Sequence, residues 1–334
     1  MTVARVINNE DSVHPETAAK IKAIMKEVGY IPKPPDKRRG PKRLNNLGIK
    51  TGNVAFLAAY EEGFKVISSS PVINRVFHGV EECLSFHGMN LIQGVISSNR
   101  GLPPIVKEGL VDGVIVWPDM NGASSEVLES LRKINIVYLM SGNNYILPGD
   151  KVMPNNSQIG KLAAECLVKK GHKDITFITT TSQHKKRMTM GKRWESFSKT
   201  ASRLGANPRL LAIEQNDELN LEGFDIDGPV QEKLSAAFGD CSTVPSGMFI
   251  CFDSLTATLY PLFHKIGISP GRDIEILSCN NEKSFLAGLD PMPLSIDIQP
   301  ELIGKRAVEQ LLWRAGHPDD ESEIVIEVSP KLLT

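Results

Sequence analysis

Several features that mark other classes of protein are scarce in this chain of 334 residues. Its five cysteines stand singly, without a Cys-x-x-Cys pair or a Cys/His cluster, which indicates reduced thiols rather than a disulfide framework or a zinc site. No apolar run approaches the roughly 20 residues that a membrane-spanning helix needs. The first residues show no basic-then-apolar signal segment. We therefore expect a cytoplasmic protein without a membrane segment.

Catalytic motifs are scarce as well. The sequence contains no P-loop, no His-Glu-x-x-His, no Gly-x-Ser-x-Gly and no Gly-x-Gly-x-x-Gly after a strand. None of the histidines has a carboxylate or cysteine partner at a suggestive spacing, and His172 fits a turn better than a catalytic base. Asp253 follows an apolar run and suits a base or a group that binds a ligand hydroxyl, but no second acid accompanies it. The sequence thus favours a binding protein without metal or cofactor over an enzyme.

Charge is almost balanced overall but unevenly placed. Residues 1–50 hold eleven Lys and Arg against five Asp and Glu, a net charge of +6, whereas the other 284 residues hold 27 against 34, a net charge of −7. Six basic residues and four prolines fall within residues 31–43, which excludes a continuous helix there. A basic extended segment of this kind can lie along phosphates, so we expect a polyanion partner for the first part of the chain. A plain solvated linker is the alternative.

The chain is predicted to begin with two short helices and to continue as a long α/β body. The first helix falls within residues 1–9, and an amphipathic second helix runs from Pro15 to Val28, where Gly29 ends it. From residue 53 onward, short apolar runs alternate with helical patterns, which is typical of parallel sheets, and the length fits two similar lobes. In open α/β sheets ligands bind beyond the carboxyl ends of the strands. We predict strands at 54–59, 90–96, 111–117, 136–140, 175–179, 247–252, 274–278 and 323–328, and helices at 73–86, 103–110, 125–133, 159–170, 193–204, 230–238, 254–266 and 300–315.

An ordered set of segments spans nearly the whole sequence and resembles the lactose-repressor/galactose-repressor (LacI/GalR) family of bacterial transcription regulators. No single segment is decisive, but their order and spacing together are specific. The segments are TVARVINN at 2–9, the stretch 15–32, VDGVI at 111–115, the stretch 155–178, Phe-Asp at 252–253, the stretch 267–277 and LSIDIQP at 294–300.

The resemblance implies a fold and a function. We expect a small all-α DNA-binding head, a partial helix-turn-helix at 1–31, then a basic Pro-rich linker at 32–51. A two-lobed, periplasmic-binding-protein-like body of parallel sheets flanked by helices follows at 52–334. In such a regulator the body dimerises and binds a small effector, usually a sugar or related metabolite, between its lobes. The effector then controls affinity for operator DNA, which is thermodynamic coupling between two sites.

The first 50 residues depart from the family pattern in two ways. The chain begins at, or just before, the segment that resembles the recognition helix, so we expect either a start further upstream or a head with half of its module. The Pro-rich linker cannot form the hinge helix of the family, and Arg-Gly-Pro-Lys-Arg at 39–43 resembles an AT-hook core instead. We predict minor-groove contacts that favour narrow A·T tracts. The predicted DNA-binding residues are Thr2, Arg5, Asn8, Lys37, Arg38, Arg39, Lys42 and Arg43.

The resemblance also places an effector site. Arg193 would supply a fork of donors and Asp253 two acceptors, which suits a ligand rich in hydroxyl groups. Asn155 and Asn280 are amides at two positions that are acidic in the family, and Phe252 replaces the usual asparagine before Asp253. The predicted effector-binding residues are Tyr60, Val72, Asn155, Arg193, Asp253 and Asn280.

Two other functions stay open at this point. One is a sugar-binding protein of the same body fold that does not regulate DNA, which the incomplete head and the unusual linker favour. The other is an α/β enzyme acting on a sugar or nucleotide, which would need two well-spaced acids facing one cleft.

Overall fold

The computed structural model of the chain divides into two units, residues 1–43 and residues 44–334. Within the described residues no helix is long and apolar enough to cross a membrane. The residues that the structure describes are 2–7, 13–30, 48–59, 70–96, 101–117, 124–140, 149–180, 188–213, 229–238 and 245–333.

The described part of the chain alternates between strands and helices. The strands are β1 (Asn53–Ala58), β2 (Asn90–Val95), β3 (Gly113–Trp117), β4 (Ile136–Leu139), β5 (Asp150–Pro154), β6 (Asp174–Thr180), β7 (Asn207–Ile213), β8 (Gly247–Ile250), β9 (Glu275–Cys279), β10 (Leu294–Asp297), β11 (Val325–Val328) and β12 (Lys331–Leu332). The helices are α1 (Thr2–Ile7), α2 (Pro15–Glu27), α3 (Pro71–Phe86), α4 (Pro104–Lys107), α5 (Ser125–Leu131), α6 (Asn156–Lys169), α7 (Met188–Arg203), α8 (Pro229–Phe238), α9 (Asp253–Lys265), α10 (Lys283–Leu286) and α11 (Pro300–Gly316).

The first unit contains the two short helices α1 and α2, which lie in contact. Helix α2 begins at Pro15, whose fixed φ suits the first helical position. It ends in a Schellman turn, in which Gly29 has a φ of +66° and Tyr30 N–H donates to Met25 O at 2.9 Å. No residue of α2 is fully buried, and Ile24 is 57% exposed, so the unit covers the apolar side chains of this helix only in part.

The second unit is built on two six-stranded sheets. The first sheet has the strand order β11-β5-β4-β3-β1-β2 and is parallel throughout. The second has the order β12-β10-β9-β8-β6-β7 and is parallel except for β12 at its edge. Helices α3 and α11 pack with the first sheet and form the first lobe, whereas α6, α7 and α9 pack with the second sheet and form the second lobe.

The strands carry apolar side chains on both faces, which pack against the layers above and below the sheet. Along β1, Val54 and Phe56 belong to one hydrophobic cluster, and Ala55 and Leu57 belong to another on the opposite face. Because helices cover both faces of a parallel sheet, its strands are apolar without alternation, which is why the short apolar runs predict them correctly.

The chain passes between the two lobes three times. It leaves the first sheet after β5 and enters α6, returns from β10 into α11, and passes again from β11 to β12. Parallel strands point their carboxyl ends at these crossings, so the residues after β5, β9 and β10 lie at the boundary between the lobes.

Some elements were missing from the sequence prediction, namely β5, β7, β10, β12 and α10. Strand β5 begins with two charged residues, Asp150 and Lys151, that are 1% and 5% exposed. Arg314 binds the Asp150 carboxylate through Nε at 2.9 Å and Nη2 at 2.6 Å, and Lys151 Nζ donates to Glu323 at 3.0 Å. Because these partners lie about 160 to 170 positions away in the sequence, local hydropathy cannot reveal that the two charges are buried.

Candidate functional site

The three lobe crossings are tied to one another by hydrogen bonds. Asn155 N–H, after β5, donates to Val328 O at the end of β11 at 2.8 Å. Gln299, after β10, donates from Nε2 to Ser329 O at 2.6 Å and adopts a left-handed backbone with φ +57°. The three segments that cross between the lobes are therefore hydrogen-bonded to one another, and the polar groups of the lobe boundary lie around them.

Arg193 of α7 lies at this boundary and is only 4% exposed. Its Nε donates to Asn156 Oδ1 at 2.7 Å, and its Nη1 donates to Cys251 O at 2.8 Å and contacts Cys279 Sγ at 3.5 Å. Burial raises the pKa of the Cys279 thiol to about 12, so Arg193 faces a neutral sulfur. Among the described residues, no hydrogen-bond partner of Nη2 is found.

Close packing of two helices fixes the position of Arg193. A Cβ added to Gly160 of α6 would lie 2.0 Å from Arg193 O and 2.9 Å from Phe197 N. Glycine at this position therefore lets the backbones of α6 and α7 approach until Arg193 reaches Asn156 at the start of α6.

Asp253, the first residue of α9, is fully buried and accepts several hydrogen bonds. Ser295 Oγ donates to Oδ1 at 3.0 Å, Glu282 N–H donates to Oδ2 at 2.6 Å, and Ser278 Oγ also donates to Oδ1. Burial raises the pKa of this carboxyl, and the hydrogen bonds from Glu282 N–H and the two serines lower it in part. Asp253 thus organises the ends of β9 and β10 within its own lobe.

Glu282 is a second buried carboxyl at the boundary, 6% exposed. Asn280 Nδ2 donates to Glu282 Oε2 at 3.1 Å, and the backbone N–H of Val72, at the start of α3 in the other lobe, faces this carboxylate and lowers its pKa. Burial, and then the charge of Asp253, raise the pKa of Glu282 to about 7, against the opposing effects of these donors and of Arg75. A carboxyl of the second lobe therefore meets the N-terminus of a first-lobe helix.

The structure places the described effector-site predictions in one network. Val72 is 6% exposed and meets Glu282, Asn280 binds Glu282 through its side chain, and Asp253 accepts Glu282 N–H. Arg193 joins the network through Cys279, next to Asn280. Asn155 lies beside it, where its Oδ1 accepts Gln158 N–H at 2.8 Å and caps α6.

Several predicted residues lie outside what the structure describes. Thr2 and Arg5 belong to α1, but their side chains are not among the described ones. The residues outside the described ranges are Tyr60 of the predicted effector site and Asn8, Lys37, Arg38, Arg39, Lys42 and Arg43 of the predicted DNA contacts.

Sequence reasoning missed three residues that organise the site, Arg75, Asn156 and Glu282. Asn156 adjoins the predicted Asn155, and Glu282 comes two residues after the predicted Asn280. A search that extended four residues past the predicted end of this strand at 278, or three past its observed end at Cys279, would have included Glu282. Arg75 carries no such signal, because its partners, on the second lobe and on α11 of its own lobe, lie more than 200 positions away in the sequence.

Outside this network, one groove of about 230 Å³ lies between α6 and α7 and is lined by Ser157, Lys192, Glu195, Ser196, Lys199 and Thr200. Lys199 is exposed and pairs with the exposed Glu195, which is typical of a solvated helix surface. In the described part of the chain, no group of three His, Cys, Asp or Glu side chains is arranged to hold a metal ion.

Comparisons with known proteins place this geometry in context. A sequence model described as "Periplasmic binding protein-like domain" matches residues 164–334, just over half of the chain, and one described as "Bacterial regulatory proteins, lacI family" matches residues 1–33. The "Ribose operon repressor" of Haemophilus influenzae is 24% identical over 340 residues, which cover 97% of this chain and 91% of that protein. The "HTH-type transcriptional repressor PurR" of Vibrio vulnificus is 25% identical over 339 residues, which cover 99% and 92%.

A solved structure, the "transcriptional regulator CelR-cellobiose complex", is similar with a TM-score of 0.65 at 18% identity, over 99% of this chain and 93% of that one. At this identity the likeness shows the fold. The predicted architecture, two lobes of mainly parallel sheets flanked by helices, is confirmed.

Proposed function

Because the chain belongs to the lacI family of bacterial regulatory proteins and is an effector-responsive, DNA-binding transcription regulator, we propose that its effector is a sugar or a related metabolite held between the two lobes. The observation that carries this proposal is the network of Arg193, Asp253, Asn280 and Glu282 at the lobe crossings. It concentrates donors and acceptors where the carboxyl ends of two parallel sheets face each other, which is where ligands of such folds bind.

The chemistry of this network suits hydroxyl groups. Arg193 Nη2, which has no partner among the residues that the structure describes, would bind a ligand oxygen, whereas Nε and Nη1 hold the side chain in place. Asn280 and Asn155 supply amides, and Val72 supplies an apolar wall, to which we add Tyr60. A sugar would exchange the bonds among these side chains for bonds to its own hydroxyls. The site binds rather than catalyses in this proposal, with no metal or cofactor.

The DNA-binding side of the proposal rests on the head and on the basic segment that follows it. Thr2, Arg5 and Asn8 would face the major groove, where arginine pairs with guanine or with phosphate. Lys37, Arg38, Arg39, Lys42 and Arg43 would follow the minor groove of A·T-rich flanks. The division into a head (1–31), a linker (32–51) and a body (52–334) belongs to the same proposal, as do a homodimer on a palindromic operator and a cytoplasmic location.

The test is selection of DNA by the full chain from fragments of its source genome, followed by affinity measurements at several salt concentrations. We expect a palindromic, A·T-flanked duplex to bind much more tightly than its scrambled version, with a steep salt dependence. Replacing Arg38 and Arg39 together by alanine should weaken binding to the A·T-flanked duplex and lower the salt slope by about 2.

The matched control replaces Lys192 and Lys199 on α7 of the body, which removes the same charge and should leave the affinity unchanged. If the Arg38/Arg39 variant bound like the wild type, the minor-groove contact would be wrong. If no duplex were preferred to its scrambled version, the second candidate function, sugar binding without DNA regulation, would replace the first. The proline-rich segment that cannot form a hinge helix favours that candidate.

A further inference from the structure

We propose that Arg75 is an inter-lobe clasp that stabilises the arrangement in which the two lobes are in contact. Arg75 lies on α3 of the first lobe, and its guanidinium contacts three acceptors of the second lobe. Nη1 donates to Asn281 O at 3.2 Å and Asn280 O at 3.4 Å, and Nη2 donates to Asp297 Oδ2 at 3.4 Å. One side chain of the first lobe therefore binds the segments that follow β9 and β10.

The guanidinium is held in place from its own lobe. Glu301, in the first turn of α11, accepts Arg75 Nε at 2.6 Å and Nη2 at 2.9 Å, a two-bond fork that fixes the orientation of the planar group. The two helices cannot slide easily, because a Cβ on Gly79 would lie 2.1 Å from Glu301 O and one on Gly304 would lie 2.1 Å from Val76 O. Arg75 thus projects from a rigid crossing of α3 and α11.

The acceptors on the second lobe are fixed as well. Asn280 and Asn281 have φ values of +108° and +57°, a backbone that side-chain-bearing residues rarely adopt and that surrounding contacts must maintain. Asn281 supplies two of these contacts, donating from N–H to Ser295 Oγ and from Nδ2 to Asp297 Oδ2, both at 3.0 Å. The carbonyls that Arg75 binds are therefore presented in one defined arrangement.

A second contact across the boundary strengthens the clasp one turn earlier on the same helix. Val72 N–H, at the positive end of the α3 dipole, faces the carboxylate of Glu282 and favours its charged form. Two contacts thus join the start of α3 to the second lobe. Glu282 faces the N-terminus of α3, and Arg75 binds backbone carbonyls of the second lobe.

The clasp favours the arrangement in which the two lobes are in contact over one in which they have moved apart. A ligand that inserts between the lobes changes their equilibrium only by its different affinity for the closed and the open arrangements. An effector that needs the space between Val72 and Asn280 would therefore compete with the clasp. This regulatory consequence rests on the proposed function, whereas the clasp itself concerns only the two lobes.

Hydrogen–deuterium exchange of the full chain without ligand tests the clasp. In an Arg75→Met variant, which keeps the length of the side chain but removes its donors, peptides that cover 70–76 and 280–283 should exchange about tenfold faster than in the wild type. A peptide from the centre of α6, residues 159–167, should not change. Arg75→Lys keeps the charge without the fork and should give an intermediate acceleration.

The matched control is Arg306→Met, on an exposed part of α11, and should behave like the wild type. Glu301→Gln, which weakens the anchor but keeps Arg75, should accelerate the same two peptides to a smaller extent. Unchanged exchange in both peptides, or equal acceleration in the α6 peptide, would overturn the proposal. The readout needs no DNA, so its failure is distinct from a failure of the proposed DNA binding.

Discussion

Arg193 and Arg75 stand on opposite sides of the lobe boundary, and their bonds run in different directions. Arg193 is buried and bonds to Asn156 and Cys251 of its own lobe, whereas Arg75 is partly exposed and reaches the carbonyls of Asn280 and Asn281 in the other lobe. The second lobe is therefore a platform, by which we mean that its polar groups are held in place by bonds to one another. The first lobe supplies the contacts that opening must break.

Apolar packing does not explain why Arg193 bonds within its own lobe and Arg75 reaches the other, because the helices of the two lobes pack in the same way. Each lobe has a pair of helices whose backbones touch at glycine, α3 with α11 in the first and α6 with α7 in the second. Both pairs hold an arginine in a fixed place. The platform and the clasp thus differ in the polar partners of Arg193 and Arg75. Mutations of those partners can test the two features separately.

The largest effect should come from removing the acceptor at the centre of the platform. Asp253→Ala leaves two buried serine hydroxyls and Glu282 N–H without their acceptor, so we expect a loss of about 3 kcal/mol or more in the free energy of unfolding. Asp253→Asn keeps an acceptor and should lose less. Urea unfolding checks both variants, and a loss below about 1 kcal/mol for the alanine would show that Asp253 does not organise the platform.

The helix crossings of the two lobes should be similarly intolerant of a methyl group. Gly160→Ala and Gly304→Ala place a Cβ about 2 Å from a backbone oxygen of the partner helix, so each should cost about 1–3 kcal/mol of unfolding free energy. Thermal and urea unfolding measure the change. A neutral result at one glycine and not at the other would mean that only one of the two crossings is rigid.

Glu282 makes the boundary sensitive to pH. Its pKa is about 7 in the folded chain, above the ordinary 4.5, so the folded state binds a proton that the unfolded state does not between these values. Stability from this group is complete below pH 4.5 and is lost as pH rises through 7. The stability of the wild type relative to Glu282→Gln should therefore increase between pH 8 and pH 5.5, on the order of 2 kcal/mol.

Using this difference cancels the contributions of titrating groups that lie apart from Glu282, such as His172, whose lowered pKa acts in the opposite direction. A difference that stayed flat across this pH range would show that Glu282 is not buried at the boundary.

The smallest effect should come from a glycine on the same helix as Arg193 that has open space where a Cβ would lie. Gly191 of α7 has no atom within 4 Å of an added Cβ, so Gly191→Ala should stabilise the chain by about 0.5–1 kcal/mol through helix propensity. It also serves as the matched control for Gly160. Destabilisation measured in urea would contradict this account of α7.

The sequence predicts those elements whose burial is encoded locally. Strand β3 is buried throughout and β1 is buried from Val54 onward, and their apolar runs reveal them. Strands β5 and β10 instead carry Asp150, Lys151 and Asp297, whose partners are distant in the sequence. The same limit applies to the site. Arg193 and Asp253 follow from the family resemblance, but the inter-lobe partners of Arg75 depend on which loops the fold brings together. The predicted roles in effector and DNA binding stay predictions.

The most direct test of a sugar site between the lobes is to measure affinity for the selected operator duplex in the presence of a panel of mono- and disaccharides. The panel includes ribose and cellobiose. We expect at least one sugar to change the DNA affinity of the wild type by about tenfold, which is a coupling free energy of roughly 1.4 kcal/mol. Arg193→Ala should bind the duplex without sugar as the wild type does, and should lose the response. A response that survived in Arg193→Ala, or DNA affinity indifferent to the whole panel, would contradict a sugar site between the lobes.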